Sequence, residues 1–512
     1  MTELKDMTPD QRTLSSCYPY REIALLIVLL SMLSGCAVGP DFKRPEAPKT
    51  ASYTAEALPE RTISAPLSGG EAQRFTPGQT IPDQWWSLFH SPELDGVIKR
   101  AIADSPSLAA AQATLRQAQE YYTAGQGSFY PAVDANVSAV RQKNSGTATR
   151  QANADTRPFT LYNASVSVSY SLDLFGGMRR ELESLRSQVD YQTFLLEGTY
   201  LALTSNIVTE AVREASLRGE IKATKEILDL QEKQLALVGR QFDLGAVSFS
   251  DVLAQKVVLA QTRATLPPLV KELDFSRNRL SVLSGRFPSD AGLPEFDLDK
   301  LKLPQDLPVS LPSELVHQRP DIRASEALLH AASADVGVAT ANLFPDITLS
   351  GNYGSTAIGT GNLFGANAAF WSLGAGLLQP IFRGGELSAM RRAAIAAYDS
   401  AESHYRETVL LAFQDVADVL RALDADALTL KARSDADVAA REFLDLTQQQ
   451  FKLGSVNYLN LLIAQRQHQL ARITLVQAQA QRLADSAALF QALGGGWWNR
   501  TPENSVEKKS KD

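Results

Sequence analysis

The sequence predicts a membrane protein of mixed α and β class, with an internal two-fold repeat and four amphipathic strands per chain that run into very long helices. Three observations predict it. First, residues 162–173 alternate strictly, with Tyr162, Ala164, Val166, Val168, Tyr170 and Leu172 on one face and Asn163, Ser165, Ser167, Ser169, Ser171 and Asp173 on the other. Period two marks a strand with one apolar and one polar face. About twelve such residues meet the ~9–11 that a tilted strand needs to cross a bilayer. Second, Gly176-Gly177 follows, and a helical pattern then continues to Phe242 without a proline. The alternation alone also fits a half-buried strand of a soluble sandwich, but a strand that turns directly into so long a helix is unusual in a soluble domain. Third, the same order of elements occurs twice along the chain.

The N-terminal stretch reads as a processed leader over residues 1–35. Ile23–Leu33 is an apolar run too short to span as a helix and suited to a signal-peptide core, with Arg21 ahead of it. The preceding region is long and carries acidic residues, which makes Met7 an alternative start. Leu33-Ser34-Gly35-Cys36 then resembles a bacterial lipobox, with Cys36 as the lipidated residue and Ala37 compatible with outer-membrane sorting. Several acyl chains on Cys36 would anchor the chain stably, where one would not. The other cysteine, Cys17, lies in the leader, so no disulfide is expected in the mature chain.

Residues 36–95 read as an extended arm rich in Pro, Gly, Ser and Thr, with Trp85 and Trp86 anchoring it to the body. Repeat 1 spans 96–285. Ser105-Pro106 supplies an N-cap and a first-turn proline for an Ala-rich helix that ends before Phe129-Tyr130-Pro131. Val133, Ala135, Val137 and Ala139 then alternate with Asp134, Asn136 and Ser138 as a first strand. A polar loop near 141–160 returns as the strand described above. Leu182, Leu185, Val189, Leu196, Tyr200, Leu203 and Ile207, continuing to Val238 and Phe242, follow a three-four spacing that predicts left-handed supercoiling. At ~1.5 Å per residue this helix is on the order of 100 Å long. A turn at Phe242-Asp243-Leu244-Gly245 sends a second helix back, in which Pro267-Pro268 is expected to cause a break or a kink.

A proline-studded connector, 286–313, leads to repeat 2 at 314–496 and a tail at 497–512. Arg319-Pro320-Asp321 opens the counterpart helix, which ends before Leu343-Phe344-Pro345. Ile347, Leu349, Gly351 and Tyr353 alternate with Asp346, Thr348, Ser350 and Asn352. After a loop near 355–369, Ala369, Trp371, Leu373, Ala375 and Leu377 share one face opposite Ser372, Gly374 and Gly376. Gly384-Gly385 matches Gly176-Gly177, and Phe451-Lys452-Leu453-Gly454 matches the first helix turn.

Four strands cannot close a barrel alone, since bacterial barrels start at about eight. An open sheet edge in lipid leaves backbone groups unsatisfied. Cyclic association solves this, and the strand count alone does not choose between two copies and three.

A net charge of −7 argues against nucleic-acid binding. His90, His317, His330, His404 and His468 are scattered without metal-ligand spacing, and no nucleophile elbow or phosphate loop is present. No enzyme, metal or cofactor is expected, and a pore-free coiled-coil scaffold is disfavoured by the strands. Met178 and Met390 are the only methionines after processing, which disfavours metal export by thioether transfer.

Several stretches together resemble the TolC-like outer-membrane efflux proteins, in the lipoprotein branch that serves tripartite pumps. They are Cys36-Ala37-Val38-Gly39-Pro40-Asp41-Phe42, Trp85-Trp86 with Phe89, Arg319-Pro320-Asp321-Ile322-Arg323, and the run from Gly337-Val338-Ala339 to Phe344-Pro345. Asn457-Tyr458-Leu459 with Leu461-Leu462 and the closing Gly494-Gly495-Gly496-Trp497 complete the set. The resemblance implies a homotrimer whose twelve-stranded β-barrel lies in the outer membrane and continues as a periplasmic α-helical coiled-coil barrel. It implies an exit duct for drugs or other small toxic compounds, with a periplasmic adaptor and an inner-membrane pump as partners. The channel of a type I protein secretion system is the alternative. The helix turns would be the periplasmic tip, gate and adaptor dock, at Leu244, Gly245 and Asp251 and at Leu453, Gly454, Asn457 and Asn460. Gly176, Gly177, Gly384 and Gly385 would be strand–helix hinges. The second tip departs from acidic members of the family, because Val456, Asn460 and Ile463 carry no carboxylate.

Overall fold

The computed structural model describes residues 37–143, 157–290 and 292–500. Cys36 with the rest of the leader, residues 144–156 of the first loop and residues 501–512 of the tail lie outside the described residues. The elements run in the order β1 (Arg74–Pro77), α1 (Pro92–Asp104), α2 (Pro106–Gly127), β2 (Ala132–Gln142), β3 (Phe159–Leu172), α3 (Gly177–Asp243) and α4 (Phe249–Leu283). Then come β4 (Asp306–Val309), α5 (Pro312–Gln318), α6 (Pro320–Ala341), β5 (Asp346–Ala357), β6 (Ala369–Leu378), α7 (Glu386–Lys452) and α8 (Tyr458–Ala492). The two long helices have 67 residues each and the two return helices 35 each, so the repeat is conserved in length as well as in order.

The chain divides into two compact units. One comprises the residues up to Lys43, Gln119–Gln188 and Leu329–Ala401, and the other comprises Arg44–Ala118, Val189–Leu328 and the chain from Glu402 onward.

The first unit holds a four-stranded antiparallel sheet of order β2-β3-β5-β6. Its register joins the apolar positions into one continuous face. Val133 lies opposite Val168, Val168 opposite Gly351 and Gly351 opposite Leu373. Ala135, Val166, Tyr353 and Trp371 form a parallel row. Directly opposed residues project on the same side of an antiparallel sheet. The polar positions, such as Asn136, Ser165 and Gly354, therefore fall on the other side, in a row that ends at Phe370 on β6. Pairing ends at β2 on one flank and at β6 on the other.

Residues 37–42 run back along the base of this sheet. Val38 N donates to Phe175 O at 3.0 Å, and Arg180 donates to Asp41 Oδ1 at 2.7 Å and to Glu183 Oε2 at 2.8 Å. Glu183 Oε1 meets His330 Nε2 at 2.8 Å, and Phe42 stacks on the His330 ring at 4.3 Å. Burial opposes ionisation of Glu183, but its bonds to Arg180 and His330 outweigh that and hold its carboxyl below the usual range. Gly39 has φ +99°, and a Cβ there would sit 2.5 Å from Gly337 Cα, so the backbones touch where no side chain fits.

In the second unit, Trp85, Trp86 and Phe89 are buried, and Trp85 stacks on Phe490 at 5.2 Å. The tryptophans thus pin the arm, as their position suggested. Arg319 is nearly enclosed and binds Asp321 at 2.7 Å, Asp415 at 3.0 Å and Ala492 O at 3.0 Å. Arg482 is fully buried and donates to Gly69 O, Thr62 Oγ1 and Glu71 O, so a guanidinium on α8 holds the arm by its carbonyls. β1 and β4 form a small parallel pair between arm and connector.

Of the break or kink expected at Pro267-Pro268, the break is absent: α4 runs unbroken past both. Each proline removes one N–H bond. Both are exposed.

Asp426 on α7 lies beside Asp485 on α8, and burial with that neighbour pushes its carboxyl up to about 7 from 3.8. Between these values the unfolded chain has released a proton that the folded chain keeps, so this group withdraws stability as pH rises through the window. Asp426→Asn should therefore raise the unfolding temperature at pH 8 and leave it nearly unchanged at pH 4, measured by calorimetry in detergent. An equal shift at both values would contradict the assignment.

Candidate functional site

Two places gather the predicted functional residues: the turns between long and return helices, and the strand-to-helix junctions.

Both helix turns are built alike. Gly245 (φ +75°) and Gly454 (φ +73°) adopt the left-handed conformation just past the helix end. Gly245 N donates to Phe242 O at 2.9 Å and Ala246 N to Gln241 O at 2.8 Å. Gly454 N to Phe451 O and Ser455 N to Gln450 O repeat the pair at 3.0 and 2.9 Å. This double bond arrangement satisfies the last carbonyls of a helix and requires a residue that tolerates positive φ. Leu244 and Leu453 between helix end and glycine are almost fully exposed.

The return helices start differently. Ser248 caps α4, accepting from Asp251 N at 3.3 Å while Asp251 Oδ2 accepts from Ser248 N at 2.9 Å and from its hydroxyl at 2.7 Å. That is a reciprocal capping box with its carboxylate at the positive helix end. At α8, Asn457 caps by accepting from Asn460 N at 3.1 Å. Asn460 stands where Asp251 stands in repeat 1 and brings no charge.

The two hairpins pack together just behind these turns. Val238, Val252, Leu444, Phe451, Tyr458 and Leu461 are buried in one cluster, with Val247 and Val456 from the turns against it. Tyr458 donates its hydroxyl to Gln255, itself fully buried. Burial, and then the negative charge of Asp251, push the Tyr458 hydroxyl well above its ordinary value. No spacing in the sequence links Tyr458 with Gln255, because the pairing joins different repeats.

The strand–helix junctions are not equivalent. Gly176 has φ +78°, and a Cβ on it would come within 2.5 Å of Ala37; Gly177 begins α3 with ordinary helical backbone. Asp173 caps this helix, accepting from Met178 N at 3.1 Å and Arg179 N at 3.0 Å. In the alternation it is the last polar position of the strand, yet an Asp a few residues ahead of a helix is also a cap signal. Gly384 (φ +56°) and Gly385 (φ +86°) are both left-handed and face open space. Cys36, the predicted lipidation site, lies outside the described residues.

The profile of the outer membrane efflux proteins matches residues 97–286 and 311–495, which takes in both repeats. The chain belongs to the outer membrane efflux protein family. It is 34% identical over 421 residues to the pyoverdine export outer membrane protein OpmQ of Pseudomonas aeruginosa, covering 81% of this chain and 87% of that protein. It is 29% identical over 484 residues to the probable efflux pump outer membrane protein TtgC of Pseudomonas putida, covering 94% and 97%. The solved outer-membrane channel OprN superposes with a TM-score of 0.80 at 28% identity, over 90% of this chain and all of that one. The fold is thus that of the outer-membrane efflux channels, and the chain is an efflux component rather than a secretion channel.

Removing the cap hydroxyl with Ser248→Ala should cost about 1 kcal/mol locally. Amide exchange in the first turn of α4 should then speed up several-fold while the Asn457 turn is unchanged. Equal acceleration in both turns would show that the cap does not act locally.

Proposed function

We propose that three copies close their sheets into a twelve-stranded β-barrel in the outer membrane, with the long helices continuing as an α-helical tunnel into the periplasm. One observation carries this reading: the sheet has one predominantly apolar face, interrupted at Ser355, a mostly polar opposite face that includes Phe370, and two unpaired flanks. The apolar side meets lipid and the polar side lines a wet lumen. Triacylated Cys36 tethers the N-terminus to the outer membrane. The tunnel is a passive exit duct, and the energy comes from an inner-membrane pump reached through a periplasmic adaptor.

The turns at Leu244, Gly245 and Asp251 and at Leu453, Gly454, Asn457 and Asn460 form the periplasmic tip, where the adaptor docks and the gate opens. Opening is a shear between packed helices, and Gly176, Gly177, Gly384 and Gly385 absorb the accompanying change at the strand ends. The cargo is small: drugs, dyes, solvents or aromatic acids. Repeat 2 adds no carboxylate to an acidic ring at the tip, because Asn460 stands where Asp251 stands in repeat 1.

Asp251→Ala should raise uptake of large antibiotics into cells and increase open time in planar bilayers. Ser248→Ala, which removes the cap hydroxyl and keeps the carboxylate, should do so far less. Wild-type permeability and conductance in Asp251→Ala would exclude a gating role. A lone subunit in detergent, silent in bilayers, would defeat the channel reading itself.

A further inference from the structure

The internal repeat contains a template for a contact that a single chain leaves unmade. Inside the first unit, repeat 1 meets repeat 2 where β3 pairs with β5. At the foot of that seam Phe175, which follows β3, stacks on Phe344, which precedes β5, with centroids 4.7 Å apart and planes 17° apart. Alongside, α6 lies on the start of α3: a Cβ on Gly177 would sit 3.2 Å from Ala341, and one on Gly337 would sit 2.7 Å from Arg180. The seam is thus β-pairing above, one aromatic stack at the junction, and a helix crossing below.

Each piece has a repeat partner on an open flank. Phe382 follows β6 ahead of Gly384-Gly385, as Phe175 follows β3 ahead of Gly176-Gly177. Tyr130 precedes β2 and Pro131, as Phe344 precedes β5 and Pro345. Both are bare, Phe382 at 87% and Tyr130 at 74% exposure, whereas Phe344 is at 40%. The first turns of α7 are exposed, Met390 among them, while Arg180 and Ser184 at the start of α3 are buried. Apolar rings left open at matching places on two flanks mark an interface rather than scattered surface.

We propose that Phe382 of one copy stacks on Tyr130 of the next, so that the seam between chains repeats the seam within a chain. This rests on the reading that the sheets join edge to edge, and it adds the residue pair that fixes how far one sheet is shifted along the other. Edge strands alone specify that register weakly, and a one-step slip turns every side chain to the wrong face. An aromatic pair just beyond the ladder holds it, and aromatic pairs carry stabilisation beyond their buried area.

The test uses the full chain in outer-membrane fractions, with Tyr130→Cys and Phe382→Cys combined and a short bismaleimide as the probe. A ladder of linked dimers and trimers is expected, absent from each single variant. Phe175→Cys with Phe344→Cys, the template pair, should link within one chain and give no ladder. A template pair that links while the Tyr130→Cys, Phe382→Cys protein is multimeric by mass yet gives no ladder would overturn the inference and leave the multimer standing. A monomer by mass with no ladder would remove the edge-to-edge reading and this inference with it. Should the double variant fail to accumulate, a photoreactive phenylalanine analogue at 382 gives the same readout by mass spectrometry. A link to the Tyr130 peptide of another chain supports the contact, and links only to lipid or within the chain exclude it.

Discussion

A strand edge in hydrocarbon has no water to bond its N–H and C=O groups, and each unmet group costs several kcal/mol. β2 and β6 each leave one edge unpaired among the described residues, while β3 and β5 between them are paired on both sides. The interior of the sheet is complete and its flanks are not. Around it lie a mostly apolar face, a mostly polar face opposite, and helices that leave the sheet through tight glycine turns. Trp371 and Leu373, at 72% and 81% exposure, would be poor surface residues in water but suit a lipid-facing row.

At the helix hairpins, the constraint becomes one of helix ends. A helix leaves its last carbonyls and first amides without intrahelical partners. The chain meets this at both hairpins with the same glycine motif and with two different caps, Ser248 and Asn457. The duplication has preserved helix lengths and turn geometry while letting charge diverge. The first junction carries the Asp173 cap and the packed residues 37–42, and the second has a glycine pair without these contacts. Duplicated architecture with divergent details lets one fold combine a fixed seam with a yielding one.

Much of this was legible because the strands and helices impose strict periods. The alternation in β2, β3, β5 and β6 gave faces that the observed register joins without a slip. The long helices announced themselves by the absence of proline and the three-four seam. What escaped detection depends on partners distant in sequence. The β1–β4 pair is four residues on each side, with a proline in both, and carries no period. The Tyr458–Gln255 bond and the Arg482 grip on the arm join residues that no spacing links. Helix α1 had a visible signal in Ser91-Pro92, the same pair that marked Ser105-Pro106, but it sits inside the segment read as arm. At Pro267-Pro268 a local rule for ending a helix did not decide the outcome: α4 continues past both.

The number of strands has a consequence of its own. Four is even, so the first strand of the sheet and the last run in opposite directions. Any copy added at the flank continues the up-and-down order without a parallel neighbour. A chain with three or five strands would force a mismatch of direction at every junction between subunits. Parity thus leaves the number of copies free as far as strand direction goes, so helix packing and the girth of the lumen are left to decide it.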